Sequence, residues 1–221
     1  MTEPVVKSRC LPAYMVIDTS YSMKSQEQLL NDTVDHVFEQ LSSRPMVSEF
    51  AHISIITFNS DAHVVLEMTD IDQVQHLPTI SCQGGTSYGK AFQLVRQRID
   101  VDVTQLHAAG RAVLRPAVFI LTDGAPTDSN WAADFATLTD QGFRRRPHII
   151  AYGFGAANPA VLGKIATKAA FVAKDTENEK EAIVSMLTSL LNTLVTSASA
   201  QEFRIPEQAD GYERVPIEFV D

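Results

Sequence analysis

The chain has 221 residues and a mass of 24.3 kDa, with 18 Lys+Arg against 27 Asp+Glu, a formal charge of −9 and a pI of about 5.1. That balance argues against nucleic acid or an anionic membrane as a partner, because phosphate binding needs a cationic surface. A hydrophobic content of 45%, with 10 Gly and 10 Pro, fits one large globular domain and excludes collagen-like or low-complexity chains.

Residues 13–17 form a compact apolar run ending in Asp18, followed by a polar turn and then Leu30, Val34, Val37, Phe38 and Leu41 at helical spacing. The pattern predicts a strand, a loop and a helix. Residues 52–58 and 62–68 are two β-branched-rich runs joined by Asn59-Ser60-Asp61, a link so short that the two must be antiparallel neighbours. After a turn-rich stretch over 81–89, Phe92, Val95 and Ile99 share one face of a second helix. A nearly continuous apolar strand over 116–122 leads through Asp123-Gly124-Ala125-Pro126 into a helix over 131–141. A strand over 148–154, a helix from Pro159 to Lys168 and a short last strand over 171–173 come next. Thr176 is then expected to cap a long final helix striped by Ile183, Leu187, Leu190, Leu191 and Leu194.

Continuous apolar strands alternating with amphipathic helices predict an α/β fold. The expected core is a doubly wound, mostly parallel central sheet with one antiparallel edge strand and helices on both faces. The expected domain covers residues 1–200. Residues 201–221, with six acids and two arginines, form an acidic C-terminal tail that is either solvated or strapped across the surface. The apolar runs are strand-sized, far short of the ~20 residues that span a bilayer. The start Met1-Thr2-Glu3-Pro4 lacks the apolar stretch of a secretory signal, so no membrane segment and a cytoplasmic address are expected. Cys10 and Cys82, without any CxxC, read as reduced and inert thiols.

In an open α/β sheet the ligand crevice lies outside the carboxyl ends of the strands. Three loops there are unusually polar: Asp18-Thr19-Ser20-Tyr21-Ser22, Gly84-Gly85-Thr86-Ser87-Tyr88-Gly89 and Leu121-Thr122-Asp123-Gly124. Two carboxylates and three hydroxyls converging from them form an all-oxygen set suited to a hard divalent cation, Mg²⁺ or Mn²⁺. The plain alternative for Ser20 and Ser22 is that they cap the next helix. Asp-x-Ser-x-Ser at 18–22, Gly-Gly-Thr-Ser at 84–87 and Thr-Asp-Gly at 122–124, in that order, resemble the metal-ion-dependent adhesion site of the von Willebrand factor A family. The resemblance covers nearly the whole chain. It implies that Asp18, Ser20, Ser22, Thr86 and Asp123 hold the metal, that a protein partner completes the shell with a carboxylate, and that the protein is not an enzyme.

Within the family, Leu-Pro-Ala-Tyr at 11–14, Ile-Thr-Phe-Asn-Ser-Asp-Ala at 56–62 and Leu-Thr-Asp-Gly-Ala-Pro-Thr-Asp at 121–128 are similar to the tellurite-resistance TerY type. That similarity implies a stress-response role beside a protein kinase and a PP2C-type phosphatase. Tyr21 stands where the family usually has glycine, and Tyr88 follows the Thr86-Ser87 pair. Each is either a packed ring shielding the loop or an exposed partner anchor.

Other motifs overlap the same loops. Gly84 to Lys90 spells a phosphate-binding loop, but Ala91 replaces the metal-holding hydroxyl. Gly85 to Gly89 fits a nucleophile elbow, with Asp123 and His148 following, but His148 begins a strand, away from the crevice. The enzymatic alternative is a Mg-dependent phosphohydrolase using Asp18 as nucleophile, although Ser20 occupies the position of the second acid.

Overall fold

A computed structural model describes residues 8–174 and 178–219. Eight strands form one sheet: β1 (Arg9–Asp18), β2 (Ala51–Phe58), β3 (Ala62–Asp70), β4 (Ala112–Val113), β5 (Ala117–Thr122), β6 (His148–Gly153), β7 (Ala169–Ala173) and β8 (Tyr212–Val215). The order across it is β3-β2-β1-β5-β6-β7-β8, with β4 paired to the start of β1. All neighbours run parallel except the two edges, where β3 is antiparallel to β2 and β8 to β7.

The helices α1 (Glu27–Ser42), α2 (Pro45–Phe50), α3 (Tyr88–Ala108), α4 (Trp131–Thr139), α5 (Pro159–Ile165) and α6 (Glu179–Ala200) cover both faces. Side chains alternate across a strand, so β1 sends Met15 and Ile17 to one face and Tyr14 and Val16 to the other. Met15 and Ile17 pack in a core built with Leu30 and Leu41 of α1, Phe50 of α2 and Leu187 and Leu190 of α6. Tyr14 and Val16 join a second core with Phe92 and Ile99 of α3, Leu138 of α4 and Ile165 of α5. Such near-complete burial on both sides is why these strands lack a polar-apolar alternation.

The chain proceeds outward from β1 in one direction through β2 and β3 and in the other through β5, β6 and β7. The reversal opens a crevice at the carboxyl ends of β1 and β5, where the first helical connections leave on opposite faces.

Several local features differ from the sequence reading. β1 begins at Arg9 rather than residue 13, while α2 and the two-residue β4 had no period long enough to detect. Helix α5 stops at Ile165, three residues early. Thr176, the expected cap of the last helix, lies outside the described residues. Asn178 holds the cap, its side chain accepting from the Glu181 N–H. Of the stripe on α6, Leu191 is half-buried and the other four are buried.

The segment after Ala200 turns back, Gln201 taking a left-handed φ of 53°, and pairs as β8 along β7, with the Tyr212 hydroxyl donating to the Ala182 carbonyl. A second antiparallel edge is therefore present beyond the one expected. By length and composition α6 could cross a membrane, with a mean hydropathy of 1.4 over its most apolar stretch. Its uninterrupted apolar runs are nevertheless short, the longest being Ala182-Ile183-Val184, as the sequence reading expects. Serines, threonines and Asn192 interrupt those runs, and here the helix lies against the sheet with 56% of that stretch buried.

Candidate functional site

The three polar loops meet at the crevice between β1 and β5. Backbone bonds tie them together: Tyr21 N–H donates to Gly84 O at 3.0 Å, Gln83 N–H to Thr19 O at 2.7 Å and Thr127 N–H to Thr86 O at 2.8 Å. Asp18 ends β1 with its carboxylate fully buried, Oδ1 accepting from Ser20 N–H at 2.9 Å and Oδ2 from the Thr122 hydroxyl at 2.6 Å. Ser20 Oγ lies 3.0 Å from Ser22 Oγ, whose hydroxyl donates to Asp123 Oδ1, also at 3.0 Å. The Thr86 hydroxyl oxygen stands 3.9 Å from the point where a Cβ would project from Gly124, the residue after Asp123. Asp18, Ser20, Ser22, Thr86 and Asp123 are thus gathered at one place.

Ser20 precedes the 3₁₀ turn Tyr21–Gln26, but its side chain caps no backbone N–H, and Gln26 ahead of α1 caps none either. The capping alternative for these serines therefore does not apply. Burial pushes Asp18 up to about 6, against the hydrogen bonds from Thr122 and Ser20, and the charge of Asp123 adds to the rise. Asp123 is also raised, chiefly by burial, with the charge of Glu179 contributing and the Ser22 hydrogen bond opposing. Two desolvated carboxylates whose ionised forms are disfavoured side by side form a place where a bound cation would offset the cost of their charge. Every donor in the set is oxygen, the chemistry a hard divalent ion takes. Among the described residues no three of His, Cys, Asp and Glu come together as a softer metal would require. Both cysteines are buried and free, their thiols pushed up to about 11 by desolvation.

The two tyrosines part ways. Tyr21 is 72% exposed on the rim, whereas Tyr88 is 2% exposed. The Tyr88 ring packs edge-on against Phe58, Phe92 and Trp131, and its hydroxyl donates to Gly124 O at 2.9 Å while lying 3.1 Å from Thr122 Oγ1. As an exposed anchor Tyr88 is therefore corrected: it opens α3, and helical geometry turns it into the core beneath the loop.

Positions that the sequence reading did not single out hold the loops in place. Thr127 Oγ1 accepts from Thr86 N–H at 3.1 Å, and the Asp128 carboxylate accepts from Tyr88 N–H and Gly89 N–H at 3.0 and 2.8 Å. Asp128 thereby fills the amino end of α3, the place a phosphate would need. A Cβ on Gly89 would stand 2.6 Å from carboxylate oxygens of both Asp128 and Asp134. The phosphate-loop spelling at 84–90 is thus occupied by the chain's own carboxylate. Ser87, the would-be elbow nucleophile, caps α3 instead, and His148 sits at the opposite end of the sheet from the crevice. Thr127 and Asp128 were visible only as the tail of the Thr-Asp-Gly-Ala-Pro-Thr-Asp stretch.

Comparison with solved structures gives likenesses of fold. The ArnB paralog VWA2 from Sulfolobus acidocaldarius aligns with a TM-score of 0.57 at 18% identity, over 83% of this chain and 46% of that one. Proximal thread matrix protein 1 from the mussel byssus, in a structure with a zinc-occupied MIDAS motif, gives 0.54 at 18% identity, over 85% and 47%. The pilus adhesin SpaC from Lactobacillus rhamnosus GG gives 0.65 at 12% identity, over 88% and 31%. The chain spans about half the length of the first two and a third of the adhesin. Comparison with curated protein sequences finds no match. Domains of the von Willebrand factor A type commonly serve as protein-interaction modules that bind a divalent metal, and are generally not enzymes. The family model for the von Willebrand factor type A domain matches residues 14–187, from the first strand into the first half of α6, and the chain belongs to that family.

Proposed function

We propose that this protein captures a protein partner through a Mg²⁺ or Mn²⁺ ion held by Asp18, Ser20, Ser22, Thr86 and Asp123, the partner supplying a carboxylate. One observation carries the reading: the hydrogen-bonded run Ser20–Ser22–Asp123, with Asp18 buried beside it and the Thr86 hydroxyl close to Gly124. Bound there, the ion would supply Lewis-acid affinity for one more anionic ligand, since two carboxylates only balance its charge. The chain's own part is positional. Thr122 and the Ser20 N–H aim the Asp18 carboxylate, Ser22 orients Asp123, and the Thr127–Asp128 clamp fixes the Thr86 loop. Tyr21, exposed on the rim, is the proposed aromatic contact for the partner.

The stretches at 11–14, 56–62 and 121–128 support a TerY-like role in a tellurite-resistance or stress-response system. A protein kinase and a PP2C-type phosphatase are the proposed associates, in the cytoplasm. Residues 1–200 form the interaction domain in this reading, and 201–221 an acidic extension carrying β8. Against the phosphohydrolase alternative stands Asp18 itself, a nucleophile with no exposed surface and both oxygens already accepting hydrogen bonds. The test is partner capture by the full chain with Mg²⁺ or Mn²⁺. Capture is expected to vanish in EDTA and in Asp18→Ala or Asp123→Ala, and capture that persists in EDTA would overturn the reading.

A further inference from the structure

Glu179 belongs to none of the three loops, yet its carboxylate reaches the site from the start of α6. Gly155, after β6, has a φ of +57° in the left-handed region. A Cβ there would stand 3.1 Å from Glu179 Oε1, 3.6 Å from Asp123 O and 3.7 Å from Asp123 Cβ. Glu179 and Asp123 therefore both border Gly155, which has no side chain to fill that space, and the Glu179 charge is felt at Asp123. From the other side Gln26, the last residue of the turn carrying Ser22, donates Nε2–H to Glu179 Oε2 at 2.9 Å. Gln26 is only 9% exposed, and its Oε1 has no hydrogen-bond partner among the described residues. A buried amide oxygen without a donor is costly enough to call for an explanation. The water ligands of a divalent ion are strong donors, and Gln26 Oε1, on a side chain bonded to Glu179, is an open acceptor for such water.

We infer that Glu179 tunes this metal site from outside the ligand set, providing a third negative charge that retains the divalent ion before any partner arrives and, with Gln26 Oε1, accepting hydrogen bonds from the ion's water. The inference rests on the metal-site reading above. A purely structural role for Glu179 is the competing explanation, since an acid in the first turn of α6 favours the helix dipole and the Gln26 bond ties α6 to the first loop. The two differ in what removing only the charge does. In Glu179→Gln an amide oxygen can still accept from Gln26, so the metal-free fold is kept while the charge is lost.

The experiment is a Mn²⁺ titration of the full chain, with free aqua-ion counted by electron paramagnetic resonance, on the parent, Asp18→Ala, Glu179→Gln and Glu179→Asp. The metal-free unfolding midpoint of each variant is measured alongside to show that it folds. The parent is expected to bind, Asp18→Ala to lose binding, and Glu179→Gln to bind about tenfold more weakly, as for residues that support metal ligands, with a metal-free midpoint within the roughly 4 °C that loss of the helix-dipole charge accounts for. Glu179→Asp keeps the charge and is expected to stay within roughly threefold of the parent. Parent binding that Asp18→Ala abolishes but Glu179→Gln leaves within about twofold would overturn the inference and leave the metal site standing. Glu179→Asp as weak as Glu179→Gln would also overturn it, because charge would not be the cause. Absence of Mn²⁺ binding in the parent would remove the metal site itself, and the inference with it.

Discussion

Of the two tyrosines in the crevice loops, Tyr88 is buried and Tyr21 is exposed. Truncating Tyr88 to Ala removes a ring that is 2% exposed and packed edge-on against three aromatic neighbours, at centroid distances of 5.7, 6.1 and 6.3 Å. Such a deletion costs about 3–5 kcal/mol through lost burial and the cavity left behind. Tyr88→Phe keeps the ring and removes only the hydroxyl. Gly124 O then loses its short donor, since the Thr122 hydroxyl already donates to Asp18 at 2.6 Å, and Thr122 loses a neighbour at 3.1 Å. That loss is worth about 1–2 kcal/mol. For a chain of this length one kcal/mol moves the midpoint by about 2–4 °C, so Tyr88→Phe should fall by roughly 2–8 °C and Tyr88→Ala by roughly 6–20 °C. Tyr21→Ala should change stability by less than about 0.5 kcal/mol, as exposed substitutions do. Thermal unfolding in EDTA followed by circular dichroism reads all three. A Tyr88→Ala protein as stable as the parent would refute the packing argument and restore that residue as a surface contact.

Three further outcomes are expected. Asp128→Ala should destabilise the metal-free chain by about 1–2 kcal/mol, because two backbone donors at the start of α3 lose a charged acceptor; an unchanged midpoint would show that water replaces the carboxylate without cost. The metal-free chain should lose stability as pH rises from about 4 through about 6. Asp18 binds its proton more tightly folded, with a pKa near 6, than unfolded at 3.8, so its neutral form stabilises the native state at low pH. The difference is roughly 3 kcal/mol, and it should be absent in Asp18→Asn, so parallel pH profiles for the two proteins would contradict it. Metal affinity should run the other way, rising with pH to about 6 as the ion displaces that proton; isothermal titration with Mn²⁺ at pH 5 and pH 7 checks it, and equal affinities would count against Asp18 as a ligand.

Much of the fold was legible because its period is strong. Val16 and Ile17, Ile120 and Leu121, and Ile149 and Ile150 are buried from both sides, so their strands read as unbroken apolar runs. The hairpin Ala62–Asp70 against β2 followed from a three-residue link that permits nothing else. The six-residue α2 and two-residue β4 are shorter than any period can reveal, and β8 lies in a polar stretch whose pairing is decided by the open edge of β7. The five residues proposed to hold the metal were picked out by the order of three short motifs on three loops that meet at the crevice. Their supports were not: Thr122 bonds the Asp18 carboxylate, Thr127 and Asp128 bond backbone N–H groups about 40 residues away, and Glu179 borders Gly155 beside Asp123 from a different element. Tyr88 shows the limit from the other side, since a tyrosine next to a site motif says nothing about which way the following helix turns it.

The central claim is that these five residues bind a divalent ion, and the most direct measurement is the unfolding midpoint in EDTA and then in Mg²⁺ or Mn²⁺, for the parent and Asp18→Ala. Metal at about 100 times its dissociation constant stabilises by roughly 2.7 kcal/mol, a shift of about 5–10 °C for a domain of this size. The expected result is that shift in the parent and its loss in Asp18→Ala. An equal shift in both proteins, or none in the parent with the metal in millimolar excess, would contradict the claim.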